Sequence, residues 1–385
     1  MAKILIAGAN NNVALAVVQD IGLLHECYAF GFKEEFNKVY YSKYLAGKVS
    51  ISNKCCLSDI IDQLILFILN NAIEIIIPTN DRFTLLVSQI NFRDSIPGVK
   101  ISTPAYDILI NGMDKAILTG IAKSHGIRTP ATFKSIEEIE PNLLGSEFIL
   151  KSRLSWQICN NKFVKGEVLR FKNHIDLKNY VNNSKTNQDT TIIQEKVTGL
   201  PWGLEVLVSN GKILNFFAHR RLREQNPLGG YSSAAMSVIP DQFYLKKIEE
   251  LLLSLNWTGV AMFEFMGDYK MSNACLIEMN CRFWGSLPVA IYSGQRFPEQ
   301  LINMILGQPV QKNEYRPYVQ ARWTIADIIH FVNVLKLRLK KIKNIPGVWS
   351  TFVNVFFKRY HNFNTINGDW KPELAELTIG LMRKL

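Results

Sequence analysis

Two secondary-structure patterns meet near residue 105, and this change restricts the fold more than any other feature of the sequence. Before it, β-branched runs alternate with helix patterns: a strand over 3–8, a helix over 13–24, a helix over 58–70 that Ser58 could cap, and a buried strand over 73–77. Strand–helix–strand alternation of this kind predicts a parallel sheet covered by helices.

Short strands separated by polar turns follow a helix over 114–125, which Gly126 and Pro130 end. The dipeptide Asn210-Gly211 favours a type I′ turn and predicts a hairpin. The predicted fold class is therefore α/β followed by α+β. The predicted strands cover residues 148–151, 167–171, 191–197, 204–208, 213–219, 260–266 and 274–278, with a further helix over 245–255.

Length and composition set broad limits. A chain of 385 residues is too long for one compact core, which predicts two or three domains. With 48% hydrophobic and 20% charged residues, the chain is expected to be globular. The six cysteines form no CxxC pair and no zinc-ligand spacing, so we expect reduced thiols in a cytoplasmic protein. The N-terminus lacks signal-peptide features, and polar residues interrupt the apolar stretch 60–77 too often for a membrane span.

Positive charge is concentrated in the last part of the chain. Residues 316–385 contain twelve Lys/Arg and four Asp/Glu, which accounts for eight of the net charge of +11. An amphipathic helix is expected to begin near Thr324, with Ile325, Ile328, Ile329, Val332 and Leu335 packed on the body and Lys336, Lys340, Lys341 and Lys343 exposed. The exposed lysines favour contact with a phosphate-bearing substrate, nucleic acid or a membrane surface, or form a solvated face that keeps the protein soluble.

Two predicted strands each carry a glutamate between apolar neighbours, Phe263-Glu264-Phe265 and Ile277-Glu278-Met279. Alternation along a strand places both carboxylates on the face opposite their apolar neighbours. With the amide oxygen of Asn280 they form a set of hard oxygen ligands suited to Mg²⁺. Arg282 follows two residues later and could hold a phosphoryl or carboxylate oxygen in a forked contact. The alternative is a surface hairpin with ordinary acidic residues.

Weaker signals precede this pair. Lys115 begins a predicted helix and Lys151 closes a predicted strand, so each offers a compact charge for phosphates, although single lysines are usually solvated. Residues 194–199 end a strand and turn, where exposed backbone could pair with an adenine edge. An arginine cluster then precedes a Gly229-Gly230 segment, and residues 220–233 are expected to be a lid loop that orders around phosphate, or a flexible surface loop.

The order of these signals resembles the ATP-grasp superfamily, and within it the branch of biotin carboxylase and carbamoyl-phosphate synthetase. The resemblance covers roughly residues 1–310, and its most specific part is the set of Glu264, Glu278, Asn280 and Arg282. It implies a Rossmann-like α/β pre-domain over 1–110, a small lid subdomain over 111–200, a larger antiparallel subdomain with the Mg-ATP site over 201–315, and a basic, partly helical C-terminal extension over 316–385.

The resemblance also implies a function and roles for residues. An enzyme of this kind uses ATP and Mg²⁺, or Mn²⁺, to activate a carboxylate as an acyl phosphate and passes the acyl group to an amine, releasing ADP and phosphate. Its partners would be small-molecule carboxylate and amine substrates, and a homodimer is left open. The implied ligands are Lys115, Lys151, Gln194, Glu195, Lys196, Val197 and Glu205 for the nucleotide, Glu264, Glu278 and Asn280 for the metal, and Arg282, Lys151, Arg221 and Arg223 for the reacting groups.

Several positions depart from the family pattern. A polar ribose partner usually follows the hinge glutamate by about eight residues, where this chain has Trp202-Gly203, so Glu205 is the nearest substitute. The turn after Lys151 is poor in glycine, and residues 283–288 differ from the stretch that biotin carboxylase carries, which argues against bicarbonate chemistry. The run 280–294 resembles carboxylate–amine ligase-like members of the superfamily. The opening loop at Gly8 lacks the GxGxxG pattern, which disfavours a dinucleotide site.

Two alternatives to the carboxylate–amine ligase stay open. One is a nucleotide-binding protein without ligase turnover that docks to an anionic partner through its basic C-terminal residues. The other is a carboxylate-activating enzyme of the carbamoyl-phosphate type. The complete set of Glu264, Glu278, Asn280 and Arg282 favours an enzyme.

Overall fold

A computed structural model describes residues 1–184 and 187–380. The first hundred residues form a five-stranded sheet, and every pair in it is parallel, in the order β3-β2-β1-β4-β5. This confirms the predicted parallel sheet. Its strands are β1 (Lys3–Ala7), β2 (Glu26–Phe32), β3 (Leu45–Ile51), β4 (Ile75–Pro78) and β5 (Lys100–Ile101), and its helices are α1 (Asn12–Ile21), α2 (Leu57–Asn70), α3 (Asp81–Ser88) and α4 (Ile90–Asp94).

Helix α2 is capped by a distant residue rather than by Ser58, so that part of the prediction is wrong. Ser58 lies inside the first turn, and the helix begins after Cys56, which provides no side-chain cap. The backbone oxygen of Asn161 accepts from the Leu57 N–H at 3.0 Å, and its side-chain oxygen accepts from the Ser58 N–H at 3.1 Å. A residue more than a hundred positions away thus satisfies the free N–H groups of the helix start.

A second, smaller sheet follows two helices, α5 (Tyr106–Met113) and α6 (Lys115–Ser124). Its four strands are antiparallel in the order β10-β7-β11-β6, and a separate hairpin, β8–β9, projects from it and carries Asn161 at its turn. The elements are β6 (Thr132–Phe133), β7 (Phe148–Ser152), β8 (Trp156–Cys159), β9 (Lys162–Lys165), β10 (Val168–Phe171), α7 (His174–Asn183) and β11 (Thr191–Glu195).

The third sheet has seven strands in the order β16-β15-β12-β13-β14-β17-β18. Asn210 and Gly211 join β12 to β13 with φ of 49° and 78°, which confirms the predicted type I′ turn. Strand β13 is longer than predicted. The elements are β12 (Pro201–Ser209), β13 (Lys212–Glu224), β14 (Ser232–Ser237), α8 (Gln242–Ser254), β15 (Gly259–Met266), β16 (Cys275–Asn280), α9 (Leu287–Tyr292), α10 (Phe297–Ile305), β17 (Gln320–Arg322) and β18 (His361–Asn362).

The C-terminal residues are part of this architecture. Strands β17 and β18 complete the seven-stranded sheet, so residues from 316 onward do not form a separate extension of it. They also contact the first sheet's helices, because the Gln19 side chain donates to the Asn364 and Asp369 carbonyl oxygens. The remaining elements are α11 (Thr324–Leu339), α12 (Val348–Phe356), α13 (Lys371–Ala375) and a π-helical turn over Glu376–Gly380.

The first sheet and the seven-stranded sheet share one hydrophobic core. Buried residues of β1 and α1, such as Ile6 and Val17, lie in the same cluster as Phe217 of β13 and Trp284. This shared core places the carboxyl end of β4 beside the end of β16, where Asp81 contacts Arg282. None of the described helices is long and apolar enough to cross a membrane.

Candidate active site

Glu264 and Glu278 are direct cross-strand neighbours in the antiparallel pair β15–β16. Phe263 and Phe265, on either side of Glu264, have no exposed surface, so the glutamate side chain leaves the sheet on the other face. Both glutamates are half-buried. The sequence analysis placed these two carboxylates on one surface, and the structure places them opposite each other there.

Charges around the two carboxylates affect them differently. Burial raises the pKa of Glu264, and the neighbouring Glu278 raises it further, while Arg221 opposes both effects from 2.6 Å. Burial alone would also raise the pKa of Glu278, but Lys115 and Lys151 outweigh it and hold that pKa below its ordinary value. The face therefore combines two close carboxylates with cations on both sides.

The predicted phosphate-binding lysines converge on Glu278 from two different elements. Lys115 is the first residue of α6, whose start is capped by the Asp114 carboxylate, and its Nζ lies 4.0 Å from a carboxylate oxygen of Glu278. Lys151 lies in β7 of the small sheet, and burial lowers its pKa to about 8, partly offset by Glu278. Both lysines are about 94% buried, unlike ordinary surface lysines.

Asn280 and Arg282 extend the site to the first sheet. The Asn280 side chain donates to Glu278 at 3.2 Å and accepts from Arg282 at 3.0 Å. Arg282 also forms an ion pair of 2.7 Å with Asp81, at the start of α3. Residues from four segments thus enclose a small cleft, lined by Asp81, Met113, Lys115, Ser155, Glu278, Met279 and Asn280.

The sequence indicates a substrate pocket beside the turn over residues 78–81, but it assigns no role to the Asp81 side chain. Asp81 follows the buried strand β4 of a parallel sheet, directly after Pro78, Thr79 and Asn80. Ligands of open α/β sheets bind outside the carboxyl ends of the strands. The pairing of Asp81 with Arg282, 201 positions later in the chain, could be known only from the fold.

The residues present fit a divalent cation such as Mg²⁺. Glu264, Glu278 and Asn280 offer two carboxylates and an amide oxygen, which is the hard-oxygen chemistry that this ion prefers. The amide oxygen of Asn280 accepts from Arg282 and its nitrogen donates to Glu278, so metal binding requires the amide group to rotate. Burial raises the pKa of Glu264 and the neighbouring Glu278 adds to the effect, so a cation bound beside the two carboxylates would favour their charged forms. Among the described residues no group of three His, Cys, Asp or Glu side chains could hold a metal, so the amide is needed to complete this set.

The hinge residues do not all face the cleft. Gln194 is 2% exposed and donates to the Thr132 hydroxyl at 2.9 Å inside the small sheet, so the prediction that it binds nucleotide is wrong. The Lys196 N–H donates to the Glu147 carbonyl oxygen at 2.8 Å, and its ammonium group contacts the Glu147 carboxylate. Half-buried Glu195 and Val197 flank it on the connection between β11 and β12, and stay candidates for the adenine contact.

Glu205 is not available to a ribose. It has no exposed surface, and one carboxylate oxygen lies 2.6 Å from Nδ1 of His219 on the neighbouring strand. Gly203 makes room for this pair, because a Cβ there would lie 2.4 Å from the Glu205 carboxylate. The prediction that Glu205 contacts the nucleotide is therefore wrong, and sequence spacing missed the pairing with His219.

The arginine segment is a strand with a short loop rather than a loop over 220–233. Arg221 and Arg223 lie in β13, and the connection to β14 covers only residues 225–231. Arg221 contacts Glu264 at 2.6 Å and therefore lies beside the predicted metal ligands. Arg223 instead forms two bonds of 2.8 and 2.7 Å with the fully buried Asp327 and a third with the Tyr360 hydroxyl, so the prediction that it acts on the reacting groups is wrong.

Comparison with known proteins gives structural likeness without sequence likeness. No protein-family model matches the sequence, and no curated protein matches it. The biotin carboxylase domain of Hydrogenobacter thermophilus 2-oxoglutarate carboxylase, solved with MgADP, ADP and bicarbonate, matches 83% of this chain over 73% of its own, with a TM-score of 0.62 and 16% identity.

Two further solved structures show the same likeness. The N5-carboxyaminoimidazole synthetase of Staphylococcus aureus has a TM-score of 0.62 and 14% identity, and the match covers 89% of this chain and 86% of that one. A Campylobacter jejuni biotin carboxylase bound to a β,γ-ATP analogue has a TM-score of 0.61 and 16% identity, over 83% and 74%. These neighbours are biotin carboxylases and a carboxyaminoimidazole synthetase, and together with the three sheets described above they show that this chain has the ATP-grasp fold.

Proposed function

We propose that the protein is an ATP-dependent ligase that activates a carboxylate as an acyl phosphate and transfers the acyl group to an amine. The observation that carries this proposal is the convergence on Glu278: its cross-strand neighbour Glu264, Lys115 of α6, buried Lys151, and Asn280 with Arg282. ATP-grasp neighbours of this chain were solved with ADP and with MgADP, which supports the choice of nucleotide.

The proposed reaction has two steps. An oxygen of the substrate carboxylate attacks the γ-phosphorus of ATP, the bond to the bridging oxygen breaks, and ADP leaves. The amine then attacks the acyl carbon and loses a proton, and phosphate leaves with the oxygen of the mixed anhydride. The chain's own residues act by position and charge: Lys115 and Lys151 attract phosphate oxygens, and Arg282 holds the carboxylate or acyl phosphate beside them.

Glu264, Glu278 and Asn280 would hold the metal, with Mn²⁺ as a substitute for Mg²⁺. A bound divalent ion supplies charge neutralisation for the transferred phosphoryl group. Arg221 positions Glu264 by a contact of 2.6 Å and fixes the orientation of this carboxylate at the sheet surface. We place Glu195 and Val197 at the adenine end, on the connection between the small and large sheets.

The substrates are proposed to be a small-molecule carboxylate and an amine. Phe283 and Trp284, which follow Arg282, are fully buried in the core, so these two side chains are directed away from any bicarbonate- or biotin-specific site. The subdomain bounds at residues 110 and 200 and a cytoplasmic location remain part of the same proposal. The bound at residue 315 is withdrawn, because β17 and β18 complete the seven-stranded sheet.

The experiment that tests the proposal is a screen of carboxylate and amine pairs for release of ADP and phosphate from ATP. Turnover is expected only when ATP, a divalent cation and a carboxylate are all present. Release of AMP and pyrophosphate would show adenylation instead. ATP binding without any turnover across a broad panel would favour the nucleotide-binding alternative.

A further inference from the structure

The long helix α11 packs on the body through a mixed face, in which Ile325, Ala326 and Val334 are buried together with two polar residues. Asp327 has no exposed surface and is held by Arg223 and by the Ser233 hydroxyl at 3.0 Å. One helical turn later, His330 is buried and donates to the Glu224 carbonyl oxygen, and Asn333 donates to the Gln225 carbonyl oxygen. Of the residues that the sequence pattern predicts to pack on the body, Ile325 is buried, and Ile329 and Leu335 are half-buried.

A second apolar stripe of α11 faces outward. Ile328 and Val332 are exposed, Leu335 is half-buried, and Leu339 is 84% exposed. These residues recur at spacings of four, three and four, which places them in one stripe along the helix. The prediction that Ile328 and Val332 pack on the body is wrong, because the ion pair of Asp327 and the bond of His330 fix the rotation of the helix.

The following helix, α12, also exposes large apolar side chains. Thr351 and Val355 are its buried residues. Trp349 is 74% exposed and Phe357, directly after the helix, is 70% exposed, with Val353 and Phe356 exposed between them. An amphipathic helix of a water-soluble body normally turns its apolar stripe inward.

The two outward stripes are joined into one apolar patch. Phe331 of α11 lies 5.8 Å from Phe352 and 5.4 Å from Phe356, measured between ring centroids. Phe352 in turn contacts Trp349 and Phe357 at 5.6 and 5.5 Å. The rings support each other and hold the large exposed side chains in place. An exposed apolar patch of this kind marks an interaction surface.

The charged residues around the apolar patch indicate which kind of partner covers it. Residues 328–368 contain no aspartate or glutamate and seven Lys/Arg. Lys336, Lys340, Lys341 and Lys343 are exposed at the end of α11 and just beyond it, and Lys358 and Arg359 are exposed at the end of α12. A partner of the right chemistry must therefore be both apolar and anionic.

We infer that the hairpin of α11 and α12 docks the protein on an anionic phospholipid bilayer. The tryptophan and phenylalanine side chains enter the boundary between headgroups and acyl chains, and the lysines at the rim contact lipid phosphates. Nucleic acid would satisfy the charge but would leave Leu339, Ile342 and Val353 uncovered. A second copy of this chain would bring the same positive charges against each other.

The test is co-sedimentation of the full chain with vesicles of phosphatidylcholine alone and of phosphatidylcholine mixed with phosphatidylglycerol, at low and physiological salt. Two variants disrupt the hairpin's surface: Trp349→Ser with Phe357→Ser, and glutamine at Lys336, Lys340, Lys341 and Lys343. Circular dichroism confirms folding. Two controls match them: Leu66→Ser with Leu69→Ser, both exposed on α2, and glutamine at Lys33, Lys54, Lys123 and Lys246, which are exposed elsewhere and remove the same charge.

The wild-type protein and both controls are expected to bind the mixed vesicles at least about tenfold more strongly than phosphatidylcholine, and less at physiological salt. Each hairpin variant should lose at least about tenfold of that binding. The inference is overturned if the wild type does not prefer anionic vesicles, or if the controls lose as much as the hairpin variants. It is equally overturned if the double serine variant instead abolishes nucleic-acid binding or self-association of the wild type while vesicle binding is unchanged.

Discussion

Arg282 forms an ion pair of 2.7 Å with Asp81, which joins the end of β16 to the start of α3. The pair lies on the side of the cleft that faces the parallel sheet. The position of Arg282 therefore depends on a residue that is far away in the sequence. Burial alone would lower the pKa of Arg282, but the Asp81 carboxylate outweighs it and raises that pKa. The arginine is therefore a fixed cation that points along the cleft toward Asn280.

Replacing Asp81 by asparagine should impair turnover without unfolding the protein. The change keeps the shape of the side chain but removes the charge that orients Arg282. We expect kcat/KM for the carboxylate substrate to fall about tenfold to a hundredfold, since a hydrogen bond to a charged group contributes about 1.5–3 kcal/mol. Asp59→Asn, at an exposed position of α2, is the matched control. Equal kinetics for the two variants would remove Asp81 from the account.

Replacing Glu264 or Glu278 by glutamine should abolish ATP turnover in a folded protein. Loss of the metal's charge stabilisation should lower kcat by about a thousandfold or more. A Mg²⁺ titration of each variant should show weakened saturation, while Glu250→Gln on α8 behaves like wild type. Activity of either variant within about threefold of wild type, a barrier change under ~0.7 kcal/mol, would contradict the metal assignment.

ATP affinity should depend on pH through Lys151. Burial lowers the pKa of this lysine to about 8, so the ammonium is charged below that pH and loses its proton above it. Because only the charged form attracts phosphate, the Kd for ATP should rise as pH increases through about 8. Binding measured by calorimetry between neutral and alkaline pH checks this. Lys151→Arg, which keeps its charge, should flatten the profile, and an unchanged slope in that variant would assign the titration to another group.

Arg223 and Asp327 should contribute to stability rather than to catalysis. Asp327 is fully buried, so Arg223→Gln leaves a carboxylate without its forked partner and should lower the free energy of unfolding by about 3 kcal/mol. Denaturant titration measures this, and a double-mutant cycle with Asp327→Asn should recover part of the loss. A large loss of kcat at unchanged stability would instead return Arg223 to the active site.

Much of the fold and the centre of the site could be predicted from local sequence patterns. Period-two alternation placed Glu264 and Glu278 on one face, and Asn210-Gly211 fixed the hairpin, because both depend on neighbours within a few residues. The predictions that failed involve residues whose partners lie elsewhere in the chain. Asn161 caps α2, His219 pairs with Glu205, and Asp327 pairs with Arg223, and the local sequence around each residue does not identify its partner.

Contacts with distant residues also determine which side chains of α11 are exposed. Hydrophobic periodicity correctly predicted a helix beginning at Thr324, but the direction of its apolar face was set by buried polar contacts of Asp327 and His330. A buried carboxylate that loses its partner is more costly than an exposed isoleucine, so Asp327 stays buried beside Ile325 while Ile328 and Val332 are exposed.

The proposed acyl phosphate can be trapped with hydroxylamine, and this reaction tests the proposed ligase mechanism. The protein is incubated with ATP, Mg²⁺, hydroxylamine and the carboxylate found in the substrate screen, and Glu278→Gln serves as the control. The account predicts a hydroxamate and ADP in equal amounts from the wild type and neither from the variant. Formation of AMP and pyrophosphate with the hydroxamate, or hydroxamate formation that persists in Glu278→Gln, would contradict it.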